Sequence, residues 1–258
     1  MAAITDSSPA ASGGDERFFL GGAIAMTAIV VAGFSTQLAM GRSSFVAPPL
    51  VHAHATVFMG WVVIYLSQNI LIATGRTTLH RRLGWIAAAW MVPMLGLGLA
   101  VTLAMVRRGQ VPYFFRPVEF LILDPLSLLA FIGLTAAAIG LRGRTDWHRR
   151  LHFCAMAVLL GPAFGRLLPM PLLAPWAFEA TVAACALLPI VGAISDQRRT
   201  GRVHPAWAVG LAVLVGYGLL TEMLTHSPLG AAIYEVATAG TPGAAIPSLD
   251  FPPPPPAP

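Results

Sequence analysis

Three histidines lie beside apolar segments, where ionisable side chains are costly and are candidates for function. His148 and His152 have i,i+4 spacing and share one face of a predicted helix, and His80 lies in a closely similar sequence context. Three imidazoles can bind zinc, and two facing imidazoles can be axial ligands of haem. His80, His148 and His152 are therefore candidate cofactor ligands. The alternative is that these imidazoles, each flanked by arginine, anchor helix ends at the membrane interface.

A second set of ionisable residues lies near the opposite ends of the apolar segments. Its histidines and carboxylates could bind a transition metal, or could relay protons or coordinate a transported ion. The predicted metal ligands are His52, His54, Glu119, Asp124, Glu179 and Glu222. Arg166 lies at the same level and could bind an anionic substrate. The alternative is that Arg116 and Arg166 pair with the acids and hold the helices together.

The composition places these residues in a membrane protein. Hydrophobic residues make up 56% of the chain, charged residues make up only 10%, and the mean hydropathy is +0.72. A soluble domain carries about 25% charged residues. All sixteen basic residues are arginine. A retinal Schiff base needs a lysine amine, so the chain cannot be a retinal protein. The arginines lie in short loops beside apolar runs, which indicates that they set the orientation of the chain in the membrane and do not bind nucleic acid.

Seven apolar segments are long enough to cross a bilayer of about 30 Å, or nearly so. The sequence therefore predicts an all-α membrane helix bundle with the seven segments 18–40, 50–73, 83–105, 118–140, 151–168, 173–195 and 205–226. The fifth is the shortest and contains Gly161-Pro162, which predicts a kink or an incomplete span. We expect residues 1–17 to be a disordered cytoplasmic N-terminus and 18–226 to be the seven-helix domain. Residues 227–258 are predicted to be an external tail with a short helix over 229–237 and a proline-rich end.

The arginine distribution predicts an orientation. Eleven of the sixteen arginines fall on the side of the N-terminus and of the loops after the second, fourth and sixth segments. The positive-inside rule then places the N-terminus in the cytoplasm and the C-terminus outside, in a bacterial inner membrane. We call the arginine-rich side the inner side and the other the outer side.

An internal repeat organises the predicted helices. Residues 75–83 (GRTTLHRRL) recur as residues 143–151 (GRTDWHRRL), with seven of nine positions identical, and a fainter copy, 201–204 (GRVH), precedes the last segment. The pattern favours three parallel helix hairpins after an extra first helix. If so, His80 and His148 lie at equivalent depth. Arginine-rich interface loops alone are the alternative explanation.

The same motifs carry a resemblance to a family. A histidine near the start of one segment, the HRRLG stretch 80–84, and a later His148 followed by Arg166 resemble an uncharacterised bacterial family of multi-pass membrane proteins with His-Arg-Arg loops. The resemblance covers roughly residues 50–168. It departs where that family usually has Trp-Met after the second histidine, since Leu151-His152 stand here. It implies a multi-pass architecture and no particular reaction.

These observations leave three functions open. The first is a bundle that binds a small ligand or cofactor, with haem b or a divalent transition metal as the leading classes. The second is a non-catalytic accessory subunit of a larger membrane complex, and the third is a small transporter or ion-coupled carrier. The sequence contains no motif that assigns an enzyme reaction.

Overall fold

The described residues of the computed structural model, 9–42 and 45–253, form helices and no strand. In chain order the helices are α1 (Pro9–Ala39), α2 (Pro49–Ala73), α3 (Thr77–Arg107), α4 (Pro117–Gly140), α5 (Thr145–Val158), α6 (Gly161–Leu167), α7 (Met170–Leu173), α8 (Ala177–Thr200), α9 (Pro205–Thr225) and α10 (Pro228–Thr238), followed by a 3₁₀ turn (Pro242–Ala245). The all-α class is confirmed.

Six of these helices are long and apolar enough to cross a membrane: α1, α2, α3, α4, α8 and α9. Proline lies in the first turn of several of them, where its missing N–H costs nothing. Gly75 and Gly201 follow α2 and α8 with φ of +71°, the left-handed conformation that ends a helix at low cost in glycine. Pro93, Pro125 and Pro189 lie inside α3, α4 and α8 without ending them.

The fifth predicted segment does not form one continuous span. Helix α5 ends at Val158, a turn follows at Leu159 and Leu160, and α6 begins at Gly161. The ring of Pro162 would clash with the carbonyl of the residue four positions earlier, which is Val158. Proline chemistry therefore explains where the helix stops. Residues 9–42 and 45–253 contain six candidate spans and one broken helix, so seven full spans are not confirmed.

The broken helix forms the centre of the bundle. Helix α5 packs against α1, α4, α8 and α9, and α6 packs against α1 and α8. Nearly all of residues 150–158 are buried, including Phe153 and Cys154. Glycines let neighbouring helices approach closely, since Gly210 of α9 faces the side chain of Cys154. An ordinary span presents one side to lipid, whereas α5 is enclosed by protein.

The two ends of the chain are more ordered than the sequence indicates. Helix α1 begins at Pro9, so residues 9–17, expected to be disordered, are helical, while residues 1–8 lie outside the described residues. The short helix predicted over 229–237 is present as α10, and it packs on α3, α4 and α9. Tyr234 is buried, and its hydroxyl donates to the carbonyl of Gly243 at 3.0 Å. Residues 227–253 are therefore attached to the bundle, and the last prolines, 254–258, lie outside the described residues.

Candidate functional site

A cavity of about 990 Å³ lies at the inner ends of α1 to α5. Its walls include His80 and Gln68 from the α2–α3 pair and His148 and His152 from α5. Trp61 and Thr135 also line it; Trp61 lies twelve residues before the end of α2, about 18 Å along a helix. The cavity thus extends from the arginine-rich loops well into the bundle.

The three predicted cofactor ligands meet in this cavity. The rings of His80 and His148 have centroids 6.3 Å apart and are nearly perpendicular, at 84°. Those of His148 and His152 are 4.6 Å apart, also at 84°. Both His80 and His148 are the fourth residue of their helices, so the repeat places them alike. The predicted repeat of whole helix hairpins is not confirmed, because α3 is 31 residues long and α5 only 14.

A backbone carbonyl fixes the orientation of His148. Its Nδ1 lies 2.8 Å from the carbonyl oxygen of Ala138. A carbonyl can only accept a hydrogen bond, so Nδ1 carries the proton and donates it. In this tautomer the lone pair of the imidazole is on Nε2. This is the arrangement in which a protein carbonyl orients an imidazole that binds a metal or accepts a proton.

Buried polar atoms without a protein partner collect around the same cavity. Of nine such atoms among the described residues, five belong to side chains that line this cavity, namely Trp61 Nε1, Gln68 Oε1, His80 Nδ1, Thr135 Oγ1 and Arg149 Nε, and the other four are His54 Nδ1, Glu179 Oε2, Glu222 Oε1 and Thr225 Oγ1. An unpaired buried polar group costs about 1–3 kcal/mol by mutational data. Five of the side chains that line this one cavity therefore each carry a buried polar atom that the protein does not pair.

The neutral polar residues of this cavity were not predicted. Trp61 and Thr135 stand singly in apolar runs, where packing is the common role. Gln68 carried a detectable signal, because Ser67-Gln68-Asn69 is a polar interruption in an otherwise apolar segment. Asn69 uses its amide to donate to the carbonyl of Tyr65 at 2.9 Å, whereas Gln68 keeps its acceptor oxygen free.

A network of ion pairs supports one wall of the cavity. Arg150 donates two hydrogen bonds to Asp196, each of 2.8 Å, and the indole of Trp207 donates to the same carboxylate at 2.7 Å. Arg149 and Arg199 both pair with Asp15 at the start of α1. The network joins α1, α5, α8 and α9. Its role is to hold the helices, since every charge in it is paired with another side chain.

The contacts of the predicted outer set fall into two groups. In the first, Asp124 accepts a hydrogen bond from Thr102 at 2.9 Å. The guanidinium of Arg166 lies near enough to Asp124 and His54 to interact with them electrostatically. Arg166 stacks over Phe34 and donates to the carbonyl of Pro162 at 2.7 Å. The ring of His54 stacks on Phe58.

The second outer group consists of three glutamates. Glu119 lies near enough to Glu179 and Glu222 for their charges to interact, and it accepts a hydrogen bond from the backbone N–H of Arg116 at 3.0 Å. Glu222 pairs with His226 at 3.5 Å. His52 lies apart from these acids: its ring donates to the carbonyl of Phe45 at 3.2 Å.

The structure supports neither a metal site at the outer residues nor their pairing with Arg116 and Arg166. No group of three or more His, Cys, Asp or Glu side chains in residues 9–42 and 45–253 is arranged to hold a metal ion. The predicted metal ligands His52, His54, Glu119, Asp124, Glu179 and Glu222 therefore do not form a metal site in this structure. The described residues also lack an ion pair within 4 Å between Arg116 or Arg166 and any of these acids, so the bracing alternative is not formed either. Arg116 instead stacks over Phe251.

Comparison with known proteins gives no relative from which a role could be transferred: no family model, no curated protein and no solved structure matches the chain. The resemblance to the His-Arg-Arg family stays a prediction. The site itself is a deep, imidazole-lined cavity at the inner side of a helical membrane protein.

Proposed function

We propose that this protein is a multi-pass membrane protein that binds a small ligand or cofactor in the inner cavity. The observation that carries the proposal is the set of five buried polar atoms without protein partners around one cavity of about 990 Å³. In an apolar bundle such atoms are costly, and a bound polar group removes the cost. Trp61 is a pure donor, Gln68 offers an acceptor, and the imidazoles supply either role.

Haem b is the cofactor class that we propose first. Its iron takes four ligands from the porphyrin and needs only two imidazoles from the protein. Two nitrogens that each bind a metal at about 2 Å lie about 4 Å apart, with the ring centres farther away. The distance of 6.3 Å between the ring centroids of His80 and His148 agrees with the spacing of two imidazoles that bind one metal. Two ligands suffice for haem, so the lack of a three-residue metal group in the described chain does not bear on it.

The orientation in the membrane belongs to the same proposal. We infer that the cavity opens to the cytoplasm, because it lies on the side where eleven of sixteen arginines are found. The C-terminus is then external. Reporter fusions at residues 142 and 240 test this, because α4 and α10 end on opposite sides of the bundle, and a cytoplasmic signal from residue 240 would contradict it.

The proposal is tested by purifying the full chain in detergent and recording a visible spectrum, followed by mass analysis of extracted small molecules. We expect a retained molecule that His148→Ala and Trp61→Phe lose, with a Soret band if that molecule is haem. The matched control is His226→Ala, which removes an exposed imidazole of the outer side. Equal retention by all variants would place the molecule elsewhere. A co-purifying subunit at fixed stoichiometry and an empty cavity would favour the accessory alternative, and ion flux into proteoliposomes would favour the transporter.

A further inference from the structure

A second concave site lies on the membrane-facing side of the α2–α3 pair. It has a volume of about 390 Å³ and is lined by Ser67, Ile70, Leu71, Leu79, Arg82, Leu83 and Ile86. Ile70, Leu79 and Ile86 are each more than 40% exposed. This groove is separate from the ligand cavity, whose lining on the same two helices uses Gln68, His80 and Arg81.

The groove runs from the helix ends into the apolar layer. Arg82 lies five residues after the first residue of α3, and Ile86 lies nine residues after it, which correspond to about 8 and 14 Å along a helix. Ser67 lies six residues before the end of α2, about 9 Å from it. Arg82 directly precedes the predicted apolar segment 83–105, which places its charge at headgroup level, and Leu83 and Ile86 continue the groove at the level of acyl chains.

The charge at the rim has no counterpart in the protein. Arg82 forms no ion pair within 4 Å among the described residues. Arg76 and Arg81 add to the same short stretch, and the sequence contains no acidic residue between positions 17 and 118. An uncompensated guanidinium above an apolar groove is complementary to a phosphate that carries an acyl chain, because guanidinium binds phosphate oxygens with two parallel hydrogen bonds.

We propose that this groove is a binding site for an anionic phospholipid of the surrounding bilayer. The phosphate binds Arg82, and one acyl chain lies along Leu83 and Ile86, which are farther from the start of α3. The proposal is independent of the ligand in the inner cavity, because the two sites share no lining residue. Zwitterionic lipid also fits the groove sterically but leaves the positive rim without net compensation, so selectivity for anionic lipid is the expected signature.

The test is native mass spectrometry of the detergent-purified full chain titrated with phosphatidylglycerol or phosphatidylcholine. We expect the wild type to retain phosphatidylglycerol and Arg82→Gln to bind it about tenfold more weakly, the size of one lost charge-assisted hydrogen bond. Arg82→Lys should bind with intermediate affinity. The matched control is Arg202→Gln, which removes the same charge from another inner loop. Ser67→Phe fills the groove without changing the charge and should also reduce retention.

Two outcomes would overturn the proposal. One is equal retention of phosphatidylglycerol and phosphatidylcholine, which means ordinary boundary lipid. The other is a dimer that covers the groove and retains no lipid. Circular dichroism and gel filtration identify variants that have lost the fold, and Arg82→Lys, which keeps the charge, gives a reading even if Arg82→Gln is poorly folded.

Discussion

Asp196 lies at the centre of the network that joins four helices, and its removal should be severely destabilising. The carboxylate is 1% exposed, Arg150 is 5% exposed, and two hydrogen bonds of 2.8 Å join them. In Asp196→Ala the guanidinium stays buried without its partner, and the indole N–H of Trp207 loses its acceptor. Breaking a buried pair from one side costs about 3–5 kcal/mol. Asp15 remains 4.0 Å from Arg150 and offsets part of the cost, so we expect the lower end of this range.

The buried cysteines provide the assay. Cys154 and Cys185 are each at most 1% exposed. A thiol-reactive fluorophore therefore reacts with them only when the bundle opens. A loss of about 3 kcal/mol lowers Tm by about 6–12 °C for a chain of this size. Asp250→Ala removes an exposed carboxylate and should leave Tm unchanged. The double variant Arg150→Met with Asp196→Leu should be more stable than Asp196→Ala, since no charge is left unpaired. A wild-type Tm for Asp196→Ala would refute the reasoning.

Two further predictions concern local packing and capping. Gly210→Val should lower Tm through overpacking of about 1–3 kcal/mol, because a Cβ at this position overlaps the side chain of Cys154, whereas Gly216→Ala, with open space beside it, should not. His204→Ala should cost about 1 kcal/mol by removing the acceptor for the N–H of Ala206 at the start of α9, together with the 2.9 Å hydrogen bond to Asp146. An unchanged Tm in the fluorophore assay would contradict either prediction.

The architecture was predictable because it depends on composition and local pattern. Apolar runs located the six candidate spans, and Gly161-Pro162 indicated the break in the fifth segment. The repeated GRT..HRRL motif predicted that His80 and His148 face one region, and the structure brings their rings to a centroid distance of 6.3 Å. Equal motifs at the starts of α3 and α5 put each histidine at the fourth position of its helix, which the motif alone predicts.

The pairing of charges was not predictable from the sequence. Arg116 lies three residues before Glu119, and Arg166 was predicted at the level of the outer acids, yet their guanidinium groups stack on Phe251 and Phe34. Partner choice among sixteen arginines depends on long-range packing, which no local pattern encodes. The order of the N-terminus has the same origin, because Asp15 is held by arginines more than 130 positions away. The outer carboxylates were predicted to share a level, but Asp124 is bonded to Thr102 while the three glutamates lie near one another, so level alone does not make one site.

Direct observation of the inner cavity tests the central claim most closely. The measurement is an electron cryomicroscopy map of the protein purified without added ligand, at a resolution that separates waters from larger molecules. The account predicts connected density for a bound molecule within hydrogen-bonding distance of Trp61 Nε1 and Thr135 Oγ1, beside the rings of His80 and His148. Isolated water peaks that satisfy all five unpartnered atoms, or side chains that collapse to fill the cavity, would contradict it.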